Sequence, residues 1–522
     1  MDTKALRQKI LDLAIRGKLV PQNPDDEPAS VLLERIRAEK QQMVKDGKLK
    51  PKDIKDDTII FKGDDNLHYE KFPDGTVKCI EDEIPFELPD GWEWTRIFSI
   101  SFNLPYGTAK KSDSKGKVAV LRMGNLQNGE IDYTDLVYSS DDEDIKQYEL
   151  LENDLLFNRT NSAEWVGKTA IYRGDVKAIY AGYLIRLRTG LNAEYLNAVM
   201  NSQYERDYCN TVKTDGVNQS NINAQKLGAF LIPVPSLSEQ YRIVYKYNNL
   251  LSFIDTIESD KSELQTTIQL TKSKILDLAI RGQLIPQAPN DEPSSVLLER
   301  IRAEKEELIK QGKIKRDKKE SFIFKGDDNS YYEKIGDTVT CIDEELPFEL
   351  PDGWTWCRGA SCFLPMESRK PSGTHFKYID IDSIDNKYQA IKEAKITETA
   401  KAPSRASRAV FDGSILFSLV RPYLKNIALV DSNNADSIAS TGFYIATSNG
   451  TFIPKYLYIL MISAYVVDGL NQFMKGDNSP SISKDNIEKW LYPVPPLSEQ
   501  EKMADTVQKY ISILEDIEKS LS

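Results

Sequence analysis

The residues best suited to chemistry in this sequence are cations set beside small hydrogen-bonding side chains. Asn158-Arg-Thr-Asn-Ser162 and Val166-Gly-Lys-Thr169 bring Arg159, Asn161 and Lys168 into one short stretch. An arginine fork can bond the edge of guanine, an asparagine that of adenine, and a lysine can hold a phosphate. The plainer alternative is a surface turn whose Asn and Ser side chains satisfy only the local backbone. Arg122-Met-Gly-Asn-Leu126, with Arg122 and Asn125, and Gly216-Val-Asn-Gln-Ser-Asn221, with Asn218 and Gln219, are loops of the same kind. Ser404-Arg-Ala-Ser-Arg408 and Ser418-Leu-Val-Arg-Pro-Tyr-Leu-Lys425 are the richest basic stretches of the second half. Arg405 and Arg408 would share a face if that stretch were helical. Arg421 precedes Pro422 and is expected to be extended, presenting its guanidinium from a rigid loop. A solvated charge cluster is the alternative there. Lys110-Lys111 and Arg369-Lys370 suit phosphate contact, and Lys425 is a DNA-contact candidate with Arg421.

Other chemistries fare worse. Gly167-Lys-Thr lacks the preceding glycine that a phosphate-binding loop requires. Asp64-Asp65 and Asp327-Asp328 have no third carboxylate at a calcium-loop spacing, so they read as linker residues. His68 and His375, with Cys357 and Cys362, make no paired zinc spacing, and no metal site is expected. There is no glycine-rich methyl-donor loop, no Asn/Asp-Pro-Pro-Tyr/Phe quartet and no convincing pair of nuclease carboxylates. A binding scaffold without catalytic residues is the expectation. Trp92, Trp94, Trp354 and Trp356 read as core residues in preference to base-stacking ones.

Composition fits a soluble globular chain. Its 522 residues suggest about three or four domains. No apolar run is long enough to cross a bilayer and no signal peptide is recognisable at Met1, so a cytoplasmic location is expected. Five cysteines, few and odd in number, suit a reducing compartment. A net charge of −12 argues against a generally basic nucleic-acid binder, but leaves room for local basic surfaces.

The element that must position these groups is a long helix from Leu237 to roughly Gly282. Ile243, Tyr247, Leu250, Ile254, Ile257, Lys261, Leu264, Ile268, Thr271, Ile275 and Leu278 recur at steps of four and three, a heptad seam. Ser236-Leu-Ser-Glu239 has capping-box spacing, and Gly282 suits a left-handed cap. Such a helix would span roughly 65–70 Å, a spacer with a sticky face. The seam returns from Leu497-Ser-Glu-Gln500 through Met503, Val507, Tyr510, Leu514, Ile517 and Leu521. Lys9–Gly17 repeats Lys274–Gly282 letter for letter. Residues 497–522 followed by 1–20 therefore rebuild the central helix, so the sequence reads as a circle of two halves. On that reading Met1 and Ser522 should be neighbours, and the two spacers antiparallel.

Each half has the same order of parts. A proline-marked turn (Pro21–Pro24, Pro286–Pro289) leads to a second helix, Ser30–Lys40 or Ser295–Lys305, closed by Gly47 or Gly312. Both then reach Pro-Phe-Glu-Leu-Pro-Asp-Gly-Trp, at Pro85–Trp92 and Pro347–Trp354. Beyond it the halves diverge, with β-rich runs such as Val118–Leu121, Tyr183–Leu187, Ser414–Ser418 and Gly442–Ile445 among helical patterns. The expected division is 1–20, part of a split distal spacer; 21–91, helical and linker; 92–235, first variable domain; 236–283, central spacer; 284–353, repeated linker; 354–495, second variable domain; and 496–522, the rest of the distal spacer. The fold class is α+β: two globular domains separated by two long antiparallel helices in a pseudo-two-fold circular repeat. Near-identical parts should meet the same partner twice, and divergent domains should recognise two different things.

Leu11-Asp-Leu-Ala-Ile-Arg-Gly17, Pro89-Asp-Gly-Trp-Glu-Trp94, Asp154–Asn161, Val420–Lys425 and Pro495–Gln500, in this order and duplication, resemble the specificity subunit of type I restriction–modification enzymes. The resemblance covers nearly the whole chain. It implies two target-recognition domains that read a bipartite double-stranded DNA site, docking of two methyltransferase (M) subunits, and restriction/motor (R) subunits in the full complex. S-adenosylmethionine would bind the methyltransferase partners, with no cofactor on this chain. The rival expectation is a coiled-coil protein-interaction scaffold without DNA specificity.

Overall fold

The computed structural model describes residues 2–216, 219–288, 290–313 and 320–521. Asn218, Pro289 and the termini Met1 and Ser522 lie outside the described residues. The chain divides into two compact units, residues 1–260 and 261–522. The long helices among the described residues are α1 (Thr3–Ile15), α2 (Ala29–Lys45), α3 (Leu237–Ile280), α4 (Ser294–Lys310) and α5 (Leu497–Ser520). The dividing point falls within α3. Gly17 and Gly282 take φ of 65° and 66° after α1 and α3, as a left-handed cap requires. At either glycine a Cβ would also strike a proline ring, of Pro89 or Pro351.

In the first unit α1 runs antiparallel to the early part of α3. Arg7 pairs with Asp255 at 2.6 Å and Glu258 at 2.9 Å, while Ala14 and Ile15 share a core with Ile243. Ile243 and Ile254 are buried and Tyr247 and Leu250 half-buried, but Ile257 is 42% exposed. Thr3, the first residue of α1, reaches Glu258, so the covering helix has run out at Ile257.

The second unit repeats this arrangement. Lys272 of α3 meets Glu518 of α5 at 2.9 Å, and Ala279 and Ile280 share a core with Met503, Ala504 and Val507. Tyr510 and Ile517 depart from the expected seam, at 44% and 39% exposure, while Leu514 is half-buried. Ile511 packs on the core in place of Tyr510. A 3.6-residue period drifts off a strict heptad within two turns.

The two variable regions share a topology despite their divergent sequences. In the first, Val118–Leu121 pairs in parallel with Ala178–Tyr180 and antiparallel with Val137–Ser139. Leu155–Asn158 runs between Thr169–Ile171 and Leu184–Leu187, antiparallel to both. In the second, His375–Ile379 pairs in parallel with Ile438–Ser440 and antiparallel with Lys395–Glu398. Ile415–Ser418 runs between Ile427–Leu429 and Phe443–Ala446. Both central strands are buried along their whole length, which explains their unbroken apolar runs.

Entry and exit strands close each region. Glu93–Arg96 pairs with Leu231–Val234, and Thr355–Arg358 with Leu491–Val494. Trp92, Trp94, Trp354 and Trp356 are all buried at these joints. Asp65 accepts hydrogen bonds from the Leu67 N–H and the Tyr69 hydroxyl, a role in the turn.

Candidate nucleic-acid interface

A cleft of about 720 Å³ opens on the first variable region. Lys110, Lys111, Arg122 and Arg159, separate in sequence, all line it, with Tyr183 and Asn221. Arg159 follows the central strand directly, and its guanidinium lies over the Tyr106 ring at 4.6 Å. Its backbone N–H bonds the Tyr183 carbonyl at 3.0 Å, and its carbonyl accepts from the Ile222 N–H at 2.9 Å. Thr160–Asn161 pairs with Ser220–Asn221, which pairs in turn with Thr214–Asp215. The loop carrying Arg159 and Asn161 is thus laced to the one carrying the exposed Gln219.

Several of these cations already have partners. Lys110 bonds Asp141 at 2.7 Å and Asp144 at 3.1 Å, and those bonds raise its pKa. Arg122 meets Asp135 at 2.9 Å. Contact with phosphate would exchange these carboxylates for another anion, which moderates the gain. Lys111 is exposed. Asn125 is buried, and its amide donates to the Asp132 and Asp135 carbonyls at 2.9 and 3.0 Å. It holds the turn, so it is unavailable to a ligand. Lys168 sits over the Trp165 ring at 4.0 Å, and partial burial followed by the neighbouring Arg206 lowers its pKa.

In the second region Ser368 and Arg408 bridge, so Arg369 and Arg408 lie on adjoining segments. The Arg369 guanidinium lies 5.6 Å from the Phe411 ring, and Lys370 and Arg405 are exposed. Ala406–Ala409 is a strand with an irregular register, so Arg405 and Arg408 do not share a helical face. Pairing with Ile438–Ser440 outweighs any local helical tendency.

Arg421 also departs from expectation. Its φ of 48° and ψ of 57° are left-handed, not extended, and Lys425 at φ 54° and ψ 39° matches it across the short turn Pro422–Leu424. The Arg421 N–H bonds the Pro480 carbonyl at 2.8 Å and its guanidinium the Asn478 carbonyl at 2.8 Å. Those two bonds hold a conformation that the pre-proline residue alone would avoid.

Sequence reasoning missed Tyr106 and Tyr183 as site residues, and included Thr160 and Asn221 only as parts of candidate loops. Folding distinguishes them from ordinary loop residues: Thr160, Tyr183 and Asn221 line the cleft, and Tyr106 lies under the Arg159 guanidinium. Arg206 and Lys213 were missed too: they bond the Glu164 and Ala163 carbonyls at 3.4 and 3.3 Å, bringing two further cations to the 159–168 loop.

Residues 90–266 and 372–522 match the family model described as the type I restriction modification DNA specificity domain. The specificity subunit of the type I restriction enzyme EcoEI of Escherichia coli is 26% identical, the match covering 99% of this chain and 90% of that protein. The EcoAI specificity subunit of the same species is also 26% identical, over 97% and 89%. A solved chain from work on complex assembly and conformational transition of the type I R-M system aligns with a TM-score of 0.55 at 15% identity. That alignment covers 84% of this chain and 94% of the other and shows a shared fold. With most of its length matched by that domain, this chain belongs to the type I restriction–modification DNA specificity family, as a specificity subunit.

Proposed function

We propose that the two variable regions each read one half of a bipartite duplex DNA target, and that the repeated helices dock two methyltransferase subunits. Restriction subunits join the full complex. S-adenosylmethionine binds the methyltransferase partners, and base flipping and methyl transfer take place in their pockets. The observation that carries the reading is the convergence of Lys110, Lys111, Arg122 and Arg159 on one cleft in a chain of net charge −12. Cations gathered against the overall charge suit a polyanion, and the cleft's asparagine and tyrosine groups suit base edges.

Duplex binding measured against salt concentration tests this. Each phosphate contact should add about −0.9 to the slope of log affinity on log salt. Lys111→Ala should make that slope shallower by about one contact. Binding indifferent to salt would reject the reading in favour of a protein-interaction scaffold.

A further inference from the structure

We propose that Trp165 and Tyr423 are target-contacting residues, each the aromatic tip of the same buttressed hairpin in its own region, packing against the base pairs of duplex DNA. The inference rests on the proposed reading of DNA by the two variable regions. Topology carries the first step. The loop 159–168 joins the central strand Leu155–Asn158 to its neighbour Thr169–Ile171, and the loop 419–426 joins Ile415–Ser418 to Ile427–Leu429. The two loops are therefore equivalent, although their sequences share nothing obvious.

Their supports are equivalent as well. The Ile222 N–H bonds the Arg159 carbonyl at 2.9 Å, and the Ile482 N–H bonds the Leu419 carbonyl at 2.9 Å. The Arg159 N–H bonds the Tyr183 carbonyl, and the Leu419 N–H the Gly442 carbonyl, at 3.0 and 2.8 Å. Thr160–Asn161 pairs with Ser220–Asn221 in one region, and Val420 bridges Ser481 in the other. Two unrelated sequences thus hold one loop in one way.

Each loop exposes a large aromatic among cations. Trp165 is 45% exposed and Tyr423 46%. Lys168 covers one face of the indole at 4.0 Å, and Arg206 and Lys213 bond the carbonyls just before it. Arg421 and Lys425, both left-handed, bracket Tyr423, and Leu424 beside it is 39% exposed. Cations that surround an apolar ring match a polyanion whose only apolar surface is its bases. A purely apolar protein patch would match the ring but leave the cations uncompensated. The turn at 421–425, held at Arg421 by the Asn478 and Pro480 carbonyls, sets its backbone before binding, which lowers the ordering cost of contact.

The test uses the full chain and a duplex bearing the methylated motif recovered from the host genome. Trp165→Ala and Tyr423→Ala should each weaken binding by about 5- to 160-fold, the range of one aromatic–base contact, with the salt slope unchanged. Each should relax discrimination on a different half of the motif. Trp165→Phe and Tyr423→Phe should retain most of the affinity. Tyr241→Ala, removing an aromatic that is 60% exposed on α3, should change neither half. Folded alanine variants that bind as tightly and selectively as the parent would overturn the inference. If Arg159→Ala and Lys111→Ala are equally without effect, the reading of DNA by this cleft fails with it; if those two weaken binding, only the aromatic contact is refuted.

Discussion

The Trp92 indole N–H donates to the Glu239 carboxylate at 3.0 Å, tying the entrance of the first variable region to the start of α3. Sequence spacing assigns Glu239 to a capping box with Ser236. Only half of that box forms, the Glu239 N–H bonding the Ser236 hydroxyl at 3.0 Å. The carboxylate turns instead to Trp92 and to the Gln22 amide at 2.8 Å. Burial raises its pKa, against the Trp92 and Gln22 bonds that pull it down. Trp354 and Glu499 repeat the contact at 2.8 Å. Glu239→Ala leaves a buried indole N–H unpaired and should cost about 1–3 kcal/mol, with Glu239→Gln costing less. Urea unfolding followed by tryptophan fluorescence measures both, and equal stability of all three proteins would show the contact to be incidental.

Arg96 carries a second duplicated contact. Its guanidinium bonds Glu70 at 2.8 Å and Glu83 at 2.7 Å, and Arg358 bonds Glu333 and Glu345 at 2.9 and 2.8 Å. Glu70 and Glu333 are buried, so removing the cation strands a carboxylate. Arg96→Leu should destabilise the first unit by about 3–5 kcal/mol, and Arg358→Leu the second by a similar amount. Hydrogen exchange resolved by segment should show each loss confined to its own unit.

Glu205 gives a dependence on pH. It is buried beside the Cys209 thiol at 2.8 Å, and burial pushes its pKa up to about 8 against the smaller pull of the thiol and Arg206. The folded state therefore holds a proton that the unfolded chain releases near the ordinary glutamate value. Its contribution to stability is complete below about pH 4.5 and is lost as pH rises through about 8, at no more than about 1.4 kcal/mol per unit. Glu205→Gln should flatten that decline and stabilise the protein above pH 8. Parallel stability–pH curves for the two proteins would exclude the assignment.

Repetition made the architecture legible. Identical stretches around Gly17 and Gly282 announced two like halves, and the apolar runs at Leu155–Phe157 and Ile415–Phe417 announced buried strands. What escaped was set by contacts distant in sequence. Arg421 is left-handed because the Asn478 and Pro480 carbonyls hold it, and Asn125 is spent on a turn closed by Asp132 and Asp135. The equivalence of Trp165 and Tyr423 is invisible in the letters, since it rests on which strands their loops connect. The variable regions are also less separate than divergence suggests: Ala14, Ile15 and Ile243 belong to the core of the first.

That shared core decides where the helix seam can be broken safely. Ile243 supports the variable region, whereas Leu250 and Ile254 lie beyond that core on the same helix. Replacing Leu250 and Ile254 with Asp puts carboxylates without partners against α1 and should cost several kcal/mol. The variable region should keep its structure while assembly with the methyltransferase subunit is lost. Near-ultraviolet circular dichroism and size-exclusion chromatography with that subunit report the two effects, and intact assembly would show that the seam plays no part in docking.

The joints should make the variable regions exchangeable. Thr355–Arg358 enters beside Leu491–Val494, which leaves, so the second region begins and ends on one pair of antiparallel strands. A replacement must match that pair, the Trp354–Glu499 and Arg358–Glu333 contacts, and the core shared with Ala279, Ile280 and Met503. Arg405, Arg408 and Arg421 travel with it, and each bidentate base contact among them should be worth about 1–3 kcal/mol of discrimination. Substituting residues 354–495 with the corresponding region of a relative should therefore change one half of the methylated motif, leaving the other half and the approximate spacing as they were. Sequencing of modified DNA from cells carrying the chimera reads the motif directly. An active chimera that altered both halves would refute independent reading by the two regions.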